Sequence, residues 1–318
     1  MSHISVTAVV PMYGGESTIA EALNCLREQD LEGLEILVFD DGSPDRCSEI
    51  VQKLQQDTGD ERLILHHHSN RGLAGTLNRG IELAKGEYIA RLDQDDLILG
   101  QRLIRQKEFL DAHPEVAMVG TWAQIYVGNT PSDRYHRHPA SSDALRLFLL
   151  FDNPFVHASM MIRTEVLRKI GGYSEDRSRQ PPEDYELWSR IARHYEVANI
   201  PEVMTAYREM PGSMSRDATN PFLPKLLRIS AENLHAVVGD IYDIDDCLSL
   251  SGLYHNAEQV PRRLSKKEAL EMLRVATVRI GGPLEARSTE FEDVASRMLR
   301  LIEYRYLRRR IPGPLRAV

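Results

Sequence analysis

The sequence predicts an α/β fold: a mixed, mainly parallel sheet flanked by helices, followed by a C-terminal helical appendage. Three observations predict it. Short β-branched runs alternate with helical stripes through the first half, several of those runs end in acidic or turn-forming clusters, and after about Pro211 only helical periodicity remains.

Val6–Val10 is a compact apolar run, and Pro11-Met12-Tyr13-Gly14-Gly15 is expected to stop it. Ile19, Ala22, Leu23 and Leu26 then fall on one helical face, with Thr18 and Glu21 spaced as a capping box. Glu35–Phe39 reads as a second strand ending in Asp40-Asp41-Gly42-Ser43. Cys47, Ile50, Val51 and Leu54 form the next helical stripe. Leu63–Leu65 is a short strand. Leu73, Leu77, Ile81 and Ala84 mark a helix closed by Gly86, and Glu87–Leu92 is a strand running into Asp93-Gln94-Asp95-Asp96. Strand–helix–strand units imply right-handed crossovers, and ligands in such sheets sit beyond the carboxyl ends of the strands.

A helix is expected over Leu99–His113, then strands at Val116–Val119 and Ile125–Val127. Residues 128–142 read as a loop, and Phe155–Ile162 as strand-like. A helix follows Pro181-Pro182, and Val203–Tyr207 closes the core. Beyond it, three helices are expected around Leu223–Leu234, Leu270–Ile280 and Phe291–Ile302. Ser265 and Glu268 are spaced as a capping box for the second.

Bulk properties exclude several functions. A formal net charge of -8 argues against sequence-independent nucleic-acid binding, which needs many cations to neutralise phosphates. Cys25, Cys47 and Cys247 are too scattered for a metal cluster or disulfide framework, which points to a reducing compartment. The first residues lack the pattern of a signal peptide, and no apolar stretch approaches the ~20 residues of a membrane span. A cytoplasmic location is expected.

Three clusters can carry chemistry. Asp93-Gln94-Asp95-Asp96 places three carboxylates in four positions, where mutual repulsion makes burial costly without a counter-charge. Hard oxygen ligands suit Mg²⁺ or Mn²⁺ bridging to substrate phosphates, although a solvated acidic turn explains the residues as well. Asp41 at the second strand end can accept hydrogen bonds from a base or ribose; a capped helix start is the plain alternative. Glu183-Asp184 opens a helix, where the macrodipole favours carboxylates, and either residue can also serve as a general base. Trp188 is then core or one wall of a sugar pocket.

In order and context, these residues resemble the family 2 glycosyltransferases, the inverting group with the GT-A fold. The matching pieces are Val9-Val10-Pro11-Met12-Tyr13, Val38-Phe39-Asp40-Asp41-Gly42-Ser43, Asn70-Arg71-Gly72 and Asn78-Arg79-Gly80. They continue with Gly86-Glu87-Tyr88-Ile89, Leu92-Asp93-Gln94-Asp95-Asp96, Gly171-Gly172-Tyr173, Glu183-Asp184-Tyr185-Glu186-Leu187-Trp188 and Tyr207-Arg208. The resemblance implies a Rossmann-like GT-A domain over 1–210 and a helical region over 211–318.

It also implies roles. Pro11 and Tyr13 would line the base pocket, Asp41 would bond the base, usually uracil, and Asn78 would belong to the donor site. Asp93 would sit near ribose or metal, Asp95 would be the firmest ligand to Mn²⁺ or Mg²⁺, and Asp184 would be the catalytic base with Glu183 as runner-up. His157 lies where family members often line the acceptor pocket. Two departures stand out: Gly14 where the family often has Asn, and Leu77 where many members have Arg.

The activity implied is metal-dependent, inverting hexosyl or N-acetylhexosaminyl transfer from a nucleoside diphosphate sugar. The acceptor would be a glycan or lipid-linked hydroxyl in bacterial-type surface polysaccharide or glycolipid synthesis. A non-catalytic nucleotide-sugar-binding or scaffold protein is the rival reading. Arg305, Arg308, Arg309, Arg310 and Arg316 form a basic cluster suited to anionic lipid on the inner membrane face, or to a solvated helix end. Homodimerisation through the three helices is equally open. The run His66-His67-His68 would be split between two faces of a strand, and His136 and His138 fall in the expected loop.

Overall fold

The computed structural model describes residues 3–209, 222–257 and 259–309. They form two compact units. One comprises the described residues of Met1–His138, Phe155–Asp176 and His194–Ala218; the other those of Pro139–Pro154, Arg177–Arg193 and Thr219–Val318.

The first unit holds nine strands among the described residues: β1 Val6–Met12, β2 Leu34–Asp40, β3 Leu63–His67, β4 Tyr88–Arg91, β5 Leu97–Ile98, β6 Val116–Val127, β7 Thr130–His136, β8 Met161–Arg163 and β9 Glu196–Glu209. Their order is β3-β2-β1-β4-β8-β6-β9-β5, with β7 added on β6. Parallel pairing runs through β3, β2, β1 and β4, and β8 joins β4 antiparallel. The sheet is therefore mixed. Helices α1 Ile19–Arg27, α2 Cys47–Thr58, α3 Gly72–Leu83, α4 Arg102–Ala112 and α6 Thr164–Ile170 belong to the same unit.

Ile19, Ala22, Leu23 and Leu26, the stripe read from sequence, are the buried face of α1 and pack with Val10, Ile36 and Val38 of the sheet. Each fully buried Leu or Ile of this face is worth ~1.5–3 kcal/mol. The expected capping box does not form. Thr18 Oγ1 donates instead to Gly15 O at 3.4 Å, and Glu21 turns away to Arg208.

Strand β1 continues through Pro11 to Met12. Its pairing with β4 ends at Val9 and Arg91, so the prolyl nitrogen, which has no hydrogen to donate, lies where β4 has already peeled away. The two strands expected at 116–119 and 125–127 are one, β6. Gly120 lets it run on: a Cβ there would sit 2.4 Å from Asn199 Oδ1 and 2.9 Å from Met160 Sδ. The loop expected at 128–142 contains β7, a polar strand with Pro131 and no apolar alternation to reveal it. Conversely, Phe155–Ile162 is mostly irregular, with a 3-10 turn at His157–Ser159 before β8.

The second unit is helical: α5 Ser142–Phe148, α7 Glu183–Ala192, α8 Leu223–Val238, α9 Ile244–Tyr254, α10 Lys266–Gly281 and α11 Thr289–Arg309. Its core gathers Phe151, Leu234, Leu250, Leu273 and Phe291. The capping box of α10 is present in both directions between Ser265 and Glu268. Helix α9 lacked a clean stripe in the sequence. Among the described residues no helix is long and apolar enough to cross a membrane. Of the C-terminal arginines, Arg305 donates to Tyr254 O at 3.3 Å and Arg308 lies 6.0 Å from the Tyr304 ring; Arg310 and Arg316 lie outside the described residues.

Candidate active site

The parallel strands β1 and β2 end beside an open cavity of about 240 Å³. Pro11, Met12, Tyr13, Asp41, Thr76 and Gln94 are among the residues lining it. Asp41 accepts from the backbone amides of Arg71 at 2.7 Å and Gly72 at 3.0 Å, which draws the start of α3 to the strand end. Its oxygens keep lone pairs for a further donor. Thr76 Oγ1, fully buried at the same cavity, has no hydrogen-bond partner among the described residues.

Gln94, the middle residue of the acidic motif, brackets the backbone of Tyr13. Its Oε1 accepts from Tyr13 N at 2.8 Å and its Nε2 donates to Tyr13 O at 2.9 Å. This pair carries the exposed Tyr13 at the cavity mouth, and Gly15 makes room for it, since a Cβ there would meet Gln94 Oε1 at 2.3 Å. The sequence reading missed Gln94, because nothing local marks a glutamine between two aspartates as a bridge.

The three carboxylates sit among three buried arginines, of which the Arg91 guanidinium bonds one of them directly. Arg91 donates through Nη2 to Asp93 Oδ1 at 2.6 Å, Arg208 donates its backbone amide to Asp96 Oδ1 at 2.8 Å, and Arg102 lies behind them bonded to Arg91 O. Burial would raise the Asp93 carboxyl, but the Arg91 charge overrides it and holds Asp93 below the usual range. Burial and then the Asp93 charge push Asp95 up to about 6, and burial with both neighbours pushes Asp96 well up. Asp95 makes no hydrogen bond or ion pair to another side chain among the described residues. It is the carboxylate left for a cation. No three His, Cys, Asp or Glu side chains among the described residues gather into a metal cluster. Mg²⁺ and Mn²⁺ sites commonly use one or two carboxylates with substrate phosphates, so the residues fit a cation shared with a ligand.

His157 lies within electrostatic reach of Asp93. His157 shares a hydrogen bond with Tyr173 Oη at 2.9 Å, and burial, reinforced by Arg91, pushes its imidazole down to about 3, so it is neutral. Asn78 holds Tyr173 from behind: Oδ1 accepts from Tyr173 N at 2.8 Å, and Nδ2 donates to Tyr173 O at 2.9 Å. Asn78 does not line the cavity. The histidine run does not converge either, with His66 stacked on Phe39, His67 on Asp40 and His68 on Asp41.

A family model described as glycosyl transferase family 2 matches residues 7–171, just over half of the chain. The chain belongs to that family. It is 28% identical over 215 residues to the putative glycosyltransferase EpsE of Bacillus subtilis (strain 168), covering 66% of this chain and 75% of the relative. It is 29% identical over 205 residues to the amylovoran biosynthesis glycosyltransferase AmsE of Erwinia amylovora, covering 64% and 75%. Among solved structures, S. aureus TarS 1-349 in complex with UDP-GlcNAc superposes with a TM-score of 0.61 at 18% identity, over 97% of this chain and 93% of that one. The mannosyltransferase PcManGT from Pyrobaculum calidifontis, in complex with GDP-Man and Mn²⁺, gives 0.55 at 18% over 95% and 86%. At these identities the structures speak to the fold, a GT-A-like mixed sheet with helices around it.

In this family 2 glycosyltransferase the remaining candidates lie in the helical unit. Asp184, in the first turn of α7, accepts from Asn153 Nδ2 at 2.8 Å and from the amide of Tyr185 at 2.7 Å. Glu183 beside it is 8% exposed. Trp188 is fully buried, so it packs rather than presenting a free face.

Proposed function

We propose that this enzyme transfers a hexosyl or N-acetylhexosaminyl group from a UDP-linked donor to an acceptor hydroxyl, with inversion. The setting is synthesis of a surface polysaccharide or glycolipid on the cytoplasmic face of the membrane. Residues 1–210 are the transferase domain and 211–318 its helical region. The observation that carries the reading is Asp95, a carboxylate without a side-chain partner among the described residues, next in sequence to Gln94, which lines the cavity with Pro11, Tyr13 and Asp41.

Asp41 and Thr76 supply polar groups to the base, and Tyr13 offers its ring at the mouth. Asp95, with Asp93 behind it, would hold Mn²⁺ or Mg²⁺. That cation, when bound, neutralises charge on the departing diphosphate. Asp93 keeps its charge through Arg91, and Asn78 acts one step back by holding Tyr173 against His157. Asp184 takes the acceptor proton; Asn153 aims its carboxylate. Glu183 is the second choice for that base.

UDP binding in Mn²⁺ and in chelator tests this. Asp95→Ala is expected to abolish the metal-dependent part, and Asp184→Asn to abolish transfer while leaving UDP affinity unchanged. Equal affinity of the unsubstituted enzyme with metal and with chelator would overturn the metal site.

A further inference from the structure

The β6–β7 hairpin carries a cation that the donor chemistry does not use. Arg137 Cζ lies 4.5 Å from the Tyr135 ring centroid and 5.6 Å from that of Trp122. Both walls are themselves held. Trp122 Nε1 donates to His138 O at 2.8 Å, and Gln124 Nε2 donates to Ser132 O at 2.8 Å and to Tyr135 Oη at 3.4 Å. Arg137 is exposed and makes no hydrogen bond or ion pair among the described residues. Stacking engages the faces of a guanidinium and leaves its edge, with five N–H donors, pointing away from the rings.

Glu209 of β9 is taken by both terminal nitrogens of Arg134, at 3.1 and 2.6 Å, and neither it nor Asp133 of β7 forms an ion pair with Arg137 among the described residues. His136 and His138 stack on each other at 5.9 Å, and burial lowers both imidazoles, His138 to about 4, so neither adds charge at neutral pH. The hairpin's other face leads to the acidic site: His136, which alternates with Arg137, packs edge-on against Tyr207 at 5.3 Å, and the next residue, Arg208, gives its amide to Asp96.

We infer that Arg137, clamped by Trp122 and Tyr135, is an oxyanion subsite that selects acceptor glycans bearing a carboxylate or phosphate. A guanidinium whose N–H donors are free of protein acceptors can meet such a group with two parallel hydrogen bonds. The assignment to the acceptor rests on the transferase reading; the oxyanion site itself does not.

Three oligomers of equal length separate the cases: an oligoglucuronate, a glycerol-phosphate oligomer and a neutral maltooligosaccharide, titrated calorimetrically into the full chain at two salt concentrations. At least one anionic oligomer is expected to bind tenfold or more tighter than the neutral one, and the stronger arm identifies carboxylate or phosphate. Arg137→Gln is expected to erase that preference, Arg137→Lys to restore only part of it, and Tyr135→Leu to weaken it several-fold. Failure of the unsubstituted chain to discriminate, or unchanged discrimination in Arg137→Gln, overturns the subsite. Mn²⁺-dependent UDP binding on the same samples is the separate check: its absence with discrimination intact overturns the metal-dependent UDP-donor reading alone.

Discussion

Arg91 and Asp93, two positions apart at the end of β4, form a 2.6 Å ion pair whose guanidinium is 2% exposed. The Asp93 carboxylate is 31% exposed, so solvent screens part of the damage that breaking the pair does. Arg91→Met leaves Asp93 without its counter-charge and is expected to cost ~1–3 kcal/mol in denaturant-induced unfolding. The double variant Arg91→Met with Asp93→Leu should recover much of that loss, which a purely steric role for Arg91 would not allow.

Gln94 carries two hydrogen bonds to the Tyr13 backbone at the cavity mouth. At ~1 kcal/mol net per bond, Gln94→Ala is expected to weaken UDP binding by roughly ten- to thirtyfold with little change in thermal unfolding. Gly15→Ala should act in the same direction, because its methyl group would displace the Gln94 amide. Fluorescence titration of UDP into both variants checks this.

Asp60 is the pH-sensitive staple of the first unit. Arg62 is the main cause of a carboxyl held at about 2, against the opposing effect of burial and with help from Arg27 at 3.0 Å. The folded value lies below the unfolded one, so this stabilisation is fully present above about pH 4. It is lost as pH falls towards 2. Solvent at Arg62 trims the worth to ~1–2 kcal/mol. Asp60→Asn should therefore cost that amount in urea unfolding at pH 7 and almost nothing at pH 2.

The local elements were legible in the sequence because their signals are local. The stripe Ile19, Ala22, Leu23, Leu26 and the box Ser265–Glu268 are set by helical spacing and hold in the structure. The β-branched runs of β1 and β2 end where polar clusters begin, and the ordered motifs were enough to name the family. Where the signal was absent or ambiguous, the reading failed: polar β7 looked like loop, and the apolar stretch 155–162 looked like strand.

What the tertiary structure alone decided is how charge and backbone are compensated over long separations. Gln94 reaches Tyr13 across 81 positions, Arg208 reaches Asp96 across 112, and Glu21 leaves its expected cap for Arg208 across 187. From the sequence, three clustered aspartates demanded a counter-charge and pointed to a metal. The fold supplies part of it from Arg91 and Arg208, and leaves Asp95 as the uncompensated group. Periodicity cannot reveal this, since strand order decides which distant side chains share one low-dielectric site, and there a single ion pair separates a charged carboxylate from one that is pushed towards its neutral form.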